Sequence, residues 1–310
     1  MSALFGPDAR VAWVFPGQGS QVVGMGKAVH DAYPAVRSLY ANADATLGYP
    51  ISDVCFDGPA DRLQQTNNAQ PALLTTDIAH LLALRERYPG EFDHAAFVAG
   101  HSLGEYAALV ASDSLRFEDG LKLVAERGRL MQAASAAIGK PTGMSAIIGL
   151  PDDALAQICD TAGVDIANLN APGQVVISGS LDALEIASGL AKESGARRVL
   201  PLQVSGAFHS RWMKPMSDEF GKHIDATHFA DPVMPVVANV TARPVYRPGD
   251  IKRLLREQTY SSVRWIETVQ YMWSHHVQTY VEIGPGKVLS GLIKRIAPEA
   301  RTFSSEDLLA

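Results

Sequence analysis

Short apolar runs that end in glycine- or proline-containing turns alternate along this chain with longer stretches whose apolar positions repeat at helical spacing. Residues 11–15, Val-Ala-Trp-Val-Phe, read as a buried strand running into the loop Pro16-Gly17-Gln18-Gly19-Ser20-Gln21. Residues 95–99 form a second such strand, followed by a helix-forming run. Helices are predicted over 73–87 and over 117–137, where Leu121, Val124, Leu130 and Met131 make one apolar side. From Met144 the texture changes to strand 144–150, helix 152–159, strands 164–169 and 174–178, helix 181–194 and strand 197–202. That βαββαβ order is the split-βαβ, ferredoxin-like unit. Strands at 236–240 and 279–283 and helices at 263–275 and 287–296 complete the pattern. The expectation is an α/β protein in which a large domain with a parallel sheet core, residues 1–138 and 206–310, is interrupted by a smaller ferredoxin-like βαββαβ domain at 139–205.

Composition narrows the function classes. The chain has 310 residues, of which 47% are hydrophobic and 19% charged, so a sizeable core is available and disorder is disfavoured. No apolar run reaches the roughly 20 residues needed to span a bilayer, and residues 1–10 lack the basic-then-apolar order of a secretory signal. A cytoplasmic, non-membrane protein is expected. The formal net charge of -6 comes without a long basic block, so nucleic acid is not an expected partner. The 2 cysteines, Cys55 and Cys159, stand far apart with no metal-binding spacing, which points away from zinc or a disulfide framework. Both read as packing residues.

The candidate chemistry begins at Gly100-His101-Ser102-Leu103-Gly104-Glu105, one serine between two glycines where a strand gives way to a helix. That is the sequence form of a nucleophile elbow, in which the following helix points free N–H groups and its positive dipole end at the site. A serine hydroxyl needs a base within hydrogen-bond reach. Nine histidines compete. His101 should point away along the turn; His94, His223 and His228 lie in polar segments, and His275-His276 caps a helix end. His209, in Ser205-Gly206-Ala207-Phe208-His209-Ser210, falls where the small domain returns the chain to the large one, facing the cleft between them. It takes the lead on that ground. The glycine-rich loop also invites a dinucleotide reading, but the fingerprint wants a third glycine where Val22 stands.

Six motifs in order resemble those of the malonyl-CoA:acyl carrier protein transacylase family over nearly the whole length. They are Phe15-Pro16-Gly17-Gln18-Gly19-Ser20-Gln21, Ala69-Gln70-Pro71-Ala72-Leu73, the elbow from Gly100, Arg127-Gly128-Arg129-Leu130-Met131-Gln132, Gly206-Ala207-Phe208-His209-Ser210 and Val281-Glu282-Ile283-Gly284-Pro285-Gly286. The resemblance implies a hydrolase-like α/β fold with a ferredoxin-like insertion. It implies that Ser102 attacks the thioester of malonyl-CoA with His209 as base, leaving a malonyl-serine ester. The phosphopantetheine thiol of an acyl carrier protein, or of a polyketide synthase carrier domain, then reverses the steps. Backbone N–H groups of Gln18 and Leu103 would form the oxyanion hole, and the main-chain carbonyl of Gln258 would orient His209 in place of a triad aspartate. No metal or other cofactor is implied.

Arg127 carries the distinction within this chemistry. On spacing alone it reads as a solvated helix residue beside Glu126. The resemblance makes it the fork that holds the free carboxylate of malonate by two charge-assisted bonds. Phe208 would fill the space that an α-methyl group needs, favouring malonyl over methylmalonyl. The rival reading is an acyl-thioester hydrolase of the same family that clears carrier proteins, whose members typically lack the arginine. The segments from Ser205 and from Asn239 look more like acyltransferases that serve polyketide synthases in trans than the fatty-acid enzyme. An acidic carrier would dock on a local basic patch, with Arg211, Lys214, Lys287, Lys294 and Arg295 as candidates.

Overall fold

In the computed structural model, which describes residues 4–6 and 9–310, ten strands make two sheets. The stretch 1–10, where no secretory signal is expected, lies partly outside the described residues. The strands are β1 (Val11–Phe15), β2 (Phe97–Gly100), β3 (Thr142–Ile148), β4 (Asp165–Ala171), β5 (Gln174–Ser180), β6 (Arg198–Pro201), β7 (Val236–Ala238), β8 (Arg243–Val245), β9 (Thr279–Glu282) and β10 (Arg301–Ser304).

The larger sheet runs β10-β9-β1-β2-β7-β8, parallel except for β8, which pairs antiparallel with β7 at one edge. Its central strands are apolar on both sides because helices cover both faces. Trp13 and Phe15 point into the main core with Val98 and Val281. Ala12 and Val14, on the alternate face, pack with Trp265, Met272, Leu289 and Ile293 from helices Trp265–Ser274 and Val288–Ile296. The smaller sheet runs β4-β5-β3-β6, wholly antiparallel. Numbered within this unit that order is 2-3-1-4, the ferredoxin-like arrangement expected from βαββαβ. Helices Asp152–Ala162 and Leu181–Glu193 seal one face through Leu155, Ile158 and Leu184, packed on Ile147, Val175 and Ile177. Met144, Ala146 and Val176, on the other face, join the main core.

The two sheets are tied at a point that matters for the cleft. Leu169 N–H donates to the Val263 carbonyl at 2.9 Å and Val263 N–H to the Ala167 carbonyl at 2.8 Å, so β4 is laced to the loop that follows Gln258. Arg295 adds a second tie, from helix Val288–Ile296 to Gln174 and to the Pro172 carbonyl.

Differences from the sequence-based expectation are local. The helix expected from residue 73 begins at Thr66 and runs through Pro71. Its first turns bury Thr66, Asn68, Ala69 and Gln70, and that packing outweighs the backbone bond missing at the proline. The structure adds helices Pro34–Leu47, Lys214–Ala226 and Pro248–Gln258 and strands β8 and β10 to the elements that the sequence pattern predicts. Among the described residues no helix is long and apolar enough to cross a membrane. Cys55 and Cys159 are both buried as free thiols in separate cores.

Candidate active site

Ser102 stands on the turn between β2 and helix Gly104–Ala111 with φ at 52°, the left-handed region that disfavours a residue with a Cβ. Such a conformation costs about 1–3 kcal/mol and survives only where neighbours enforce it. Here they do. Ser102 N–H donates to Asn239 Oδ1 at 2.7 Å, and its carbonyl accepts from Gln258 Nε2 at 2.9 Å. Close approach does the rest: a Cβ on Gly104 would lie 2.1 Å from the Phe15 carbonyl oxygen, and one on Gly17 2.2 Å from that of His101. Only glycine lets the loop after β1 and the elbow touch.

The Ser102 Oγ is 2.7 Å from His209 Nε2. On the other side of the ring, Nδ1–H donates to the Gln258 carbonyl at 2.8 Å and to the Ser261 carbonyl at 3.2 Å. Two carbonyl acceptors fix the tautomer, leaving Nε2 free to take the serine proton. Burial, reinforced by the positive charge of Arg127, pulls the His209 pKa down to about 3, so the imidazole is neutral at neutral pH.

The remaining histidines take other places. His94, His228, His275 and His276 are exposed, and His223 lies 3.3 Å from Glu126. His101, expected to turn away, bonds Asn170 Oδ1 of β4 at 2.8 Å, and it also lines the cavity beside Ser102. The elbow faces a cleft already roofed by the smaller sheet, so turning away from Ser102 Oγ leaves its ring in the cavity wall.

Arg127 departs most from the solvated helix position that spacing alone predicts. Its side chain comes from helix Phe117–Ala137 and is 1% exposed. Nη1 donates to Gln70 Oε1 at 2.9 Å; Nη2 donates to Gln258 Oε1 at 3.0 Å and to Ser102 Oγ at 3.1 Å. Neighbouring Glu126 pairs instead with Arg129 on the surface. Among the described residues no carboxylate forms an ion pair with the Arg127 guanidinium, and its Nε has no partner. Burial draws its pKa down, opposed by the nearby Tyr106 and Glu105.

Gln18, Leu103 and Phe208 line the same cavity of about 400 Å³ with Ser102, Arg127 and His209. The backbone N–H groups of Gln18 and Leu103 have no hydrogen-bond partner among the described residues. The Phe208 ring is buried. Three residues that sequence reasoning passed over converge here. Glu105 and Asn239 bond to the elbow's supports, and Gln70 holds the guanidinium. Glu105 lies in the elbow and Gln70 in the Ala69–Leu73 motif, and only their burial marks them out. Of the five basic residues expected to dock a carrier, Lys214 lies over the Tyr260 ring and the other four are engaged within the chain. Arg211 pairs with Asp165, Lys287 with Asp307, Lys294 meets the Ala300 carbonyl, and Arg295 is spent on the tie to Pro172 and Gln174.

Around one cavity stand a serine hydroxyl bonded to a neutral imidazole held in one tautomer, two free N–H groups and a buried cation without an ion-pair partner. That is machinery for acyl transfer through a serine ester to or from an acyl group carrying a negative charge. No cluster of three or more metal-ligating side chains occurs among the described residues.

Comparison with known proteins agrees. The acyl transferase domain family matches residues 12–309. The malonyl CoA-acyl carrier protein transacylase of Bacillus subtilis (strain 168) is 45% identical over 307 residues, covering 96% of this chain and 94% of that protein. The polyketide biosynthesis malonyl CoA-acyl carrier protein transacylase PksC of the same organism is 41% identical over 297 residues, with 94% and 99% covered. A malonyl-transacylase solved in complex with its type II PKS acyl-carrier protein superposes with a TM-score of 0.91 at 38% identity, covering 96% of each chain. With a family match that spans residues 12–309 and the serine, histidine and arginine gathered in one cleft, this chain belongs to the acyl transferase domain family.

Proposed function

We propose that this enzyme moves a malonyl group from malonyl-CoA to the phosphopantetheine thiol of an acyl carrier protein by a ping-pong route through a malonyl ester on Ser102. The observation that carries this reading is the Arg127 guanidinium, buried at the cavity wall beside Ser102 Oγ with no carboxylate of its own. A buried charge without a direct ion-pair partner is costly. The carboxylate of malonate would supply the counter-charge, and a neutral acyl group would not. Ser102 would attack the thioester carbonyl while His209 Nε2 takes the proton and returns it to the leaving thiol. The N–H groups of Gln18 and Leu103 would receive the developing oxyanion, each such donor being worth roughly 10²–10³ in rate. The Phe208 ring would crowd the α-carbon and disfavour a methyl branch. The 1–138, 139–205 and 206–310 division fits this scheme, the small domain roofing the cleft with Asn168 and Leu202 and holding His101 through Asn170. A cytoplasmic setting fits the two buried free thiols.

Intact-mass analysis after brief incubation with malonyl-CoA, acetyl-CoA and methylmalonyl-CoA tests the reading. The wild type is expected to take up malonyl alone in quantity, and Ser102→Ala to take up nothing. Arg127→Ala should lose malonyl uptake by about one to two factors of ten, since a hydrogen bond to a charged partner is worth roughly 1.5–3 kcal/mol. Release of free malonate without an adduct would show a hydrolase instead.

A further inference from the structure

Glu105 lies three residues after the nucleophile and is 3% exposed, and the chemistry above assigns it no task. Its Oε2 accepts from two groups at once, Gln258 Nε2 at 2.7 Å and Asn239 N–H at 3.1 Å. Both partners grip Ser102: Asn239 Oδ1 takes its N–H, and Gln258 Nε2 reaches its carbonyl. Asn239 Nδ2 also ties the strand end at the Gly100 carbonyl, 2.6 Å away. The Gln258 amide therefore has no freedom. Its nitrogen faces two acceptors, Glu105 Oε2 and the Ser102 carbonyl, so its oxygen must face Arg127 Nη2. Arginine offers donors only. A flipped amide would set donor against donor at Arg127 and acceptor against acceptor at Glu105.

We propose that Glu105 is a positioning residue for malonyl selection: it locks the Gln258 amide so that Arg127 is aimed into the acyl cavity, and it steadies Ser102 through Asn239. One carboxylate thus sets the carboxylate fork and the nucleophile in fixed relation. A fully buried carboxylate is an expensive way to fill space that an apolar side chain would fill at lower cost. Its two accepted bonds are what the position gains from being glutamate. The inference rests on the malonyl-transfer reading and deepens it.

Rapid-quench intact-mass measurement of Ser102 acylation by malonyl-CoA and by acetyl-CoA tests it, with thermal melting to follow folding. In Glu105→Ala the malonyl rate should fall about 10–100-fold, the range expected when two buried donors lose their acceptor, while the acetyl rate falls less. The malonyl-to-acetyl ratio should therefore drop about tenfold. Glu105→Gln, whose amide oxygen can accept the same two bonds, should keep that ratio within about threefold of the wild type. A purely structural role lowers both rates together, so an unchanged ratio in a folded Glu105→Ala protein overturns the inference. Should that variant not fold, Gln258→Leu decides: it removes the amide and keeps the main-chain carbonyl on His209, and a wild-type ratio there overturns the inference equally. A wild type that forms no malonyl adduct would instead overturn the functional reading itself.

Discussion

His209 is kept neutral by two causes of the same sign, loss of hydration and the adjacent Arg127 cation. Its pKa in the folded chain lies near 3, below the ordinary value of 6.5. Between those limits the unfolded chain binds a proton that the folded chain refuses. Stability is therefore complete above about pH 6.5 and is lost as pH falls toward 3. His80, buried against Ser305 and drawn down to about 4, works in the same direction. Removing the cation must raise the His209 value, because imidazolium no longer faces a like charge. An NMR titration of the histidine ring protons should show His209 unprotonated at pH 5.5 in the wild type and titrating at higher pH in Arg127→Ala. Equal midpoints in the two proteins would contradict the assigned cause. Little of this was legible in the sequence. Ser102 and His209 stood out by their neighbours, but their positive φ angles of 52° and 55° and the burial of Arg127 depend on residues more than a hundred positions away.

Among the elements, β1 and β2 and the helix after the elbow act as a unit because glycine lets them meet. Gly104→Ala places a methyl group 2.1 Å from the Phe15 carbonyl oxygen, and the helix must retreat. Overpacking of this kind costs about 1–3 kcal/mol, and a misplacement of about 1 Å at the reacting atoms can cost 10²-fold in rate. The variant should melt earlier and label with a serine-directed fluorophosphonate far more slowly than the wild type. Unchanged labelling would show that the contact is not what holds the elbow. Strand and helix existence was readable wherever apolar periodicity was strong, as in β1, helix Phe117–Ala137 and the βαββαβ run. Helix Pro248–Gln258 carries five charged residues, Asp250, Lys252, Arg253, Arg256 and Glu257, and its apolar signal is weak. Its amphipathic stripe rests on only Ile251, Leu254 and Leu255, which bury against the main core. The short edge strands β8 and β10 have three and four residues, too few for alternation to register.

Across the whole molecule, the smaller sheet has a core of its own on one face and shares the main core on the other. Leu155→Ala cuts into the private core, at an expected cost of about 2–5 kcal/mol for a buried leucine. Hydrogen exchange should then quicken in β3 to β6 and their two helices while β1, β2 and β9 stay protected. Malonyl transfer should weaken, because Asn168 and Leu202 belong to the cavity wall. Equal acceleration in both sheets would show a single cooperative unit.

Local pattern and motif order carried the α/β class, the ferredoxin-like run and the pairing of Ser102 with His209, because periodicity and short-range turn chemistry are written into neighbouring residues. What only the tertiary structure decided is long-range: which cations stay solvated and which are buried, and how Glu105, Asn239 and Gln258 close on one serine. The physical reason is that burial and hydrogen-bond satisfaction belong to the packed assembly. Arg127 and Arg129 are two positions apart on one helix, and packing alone puts the first at 1% exposure facing Ser102 and the second on the surface with Glu126.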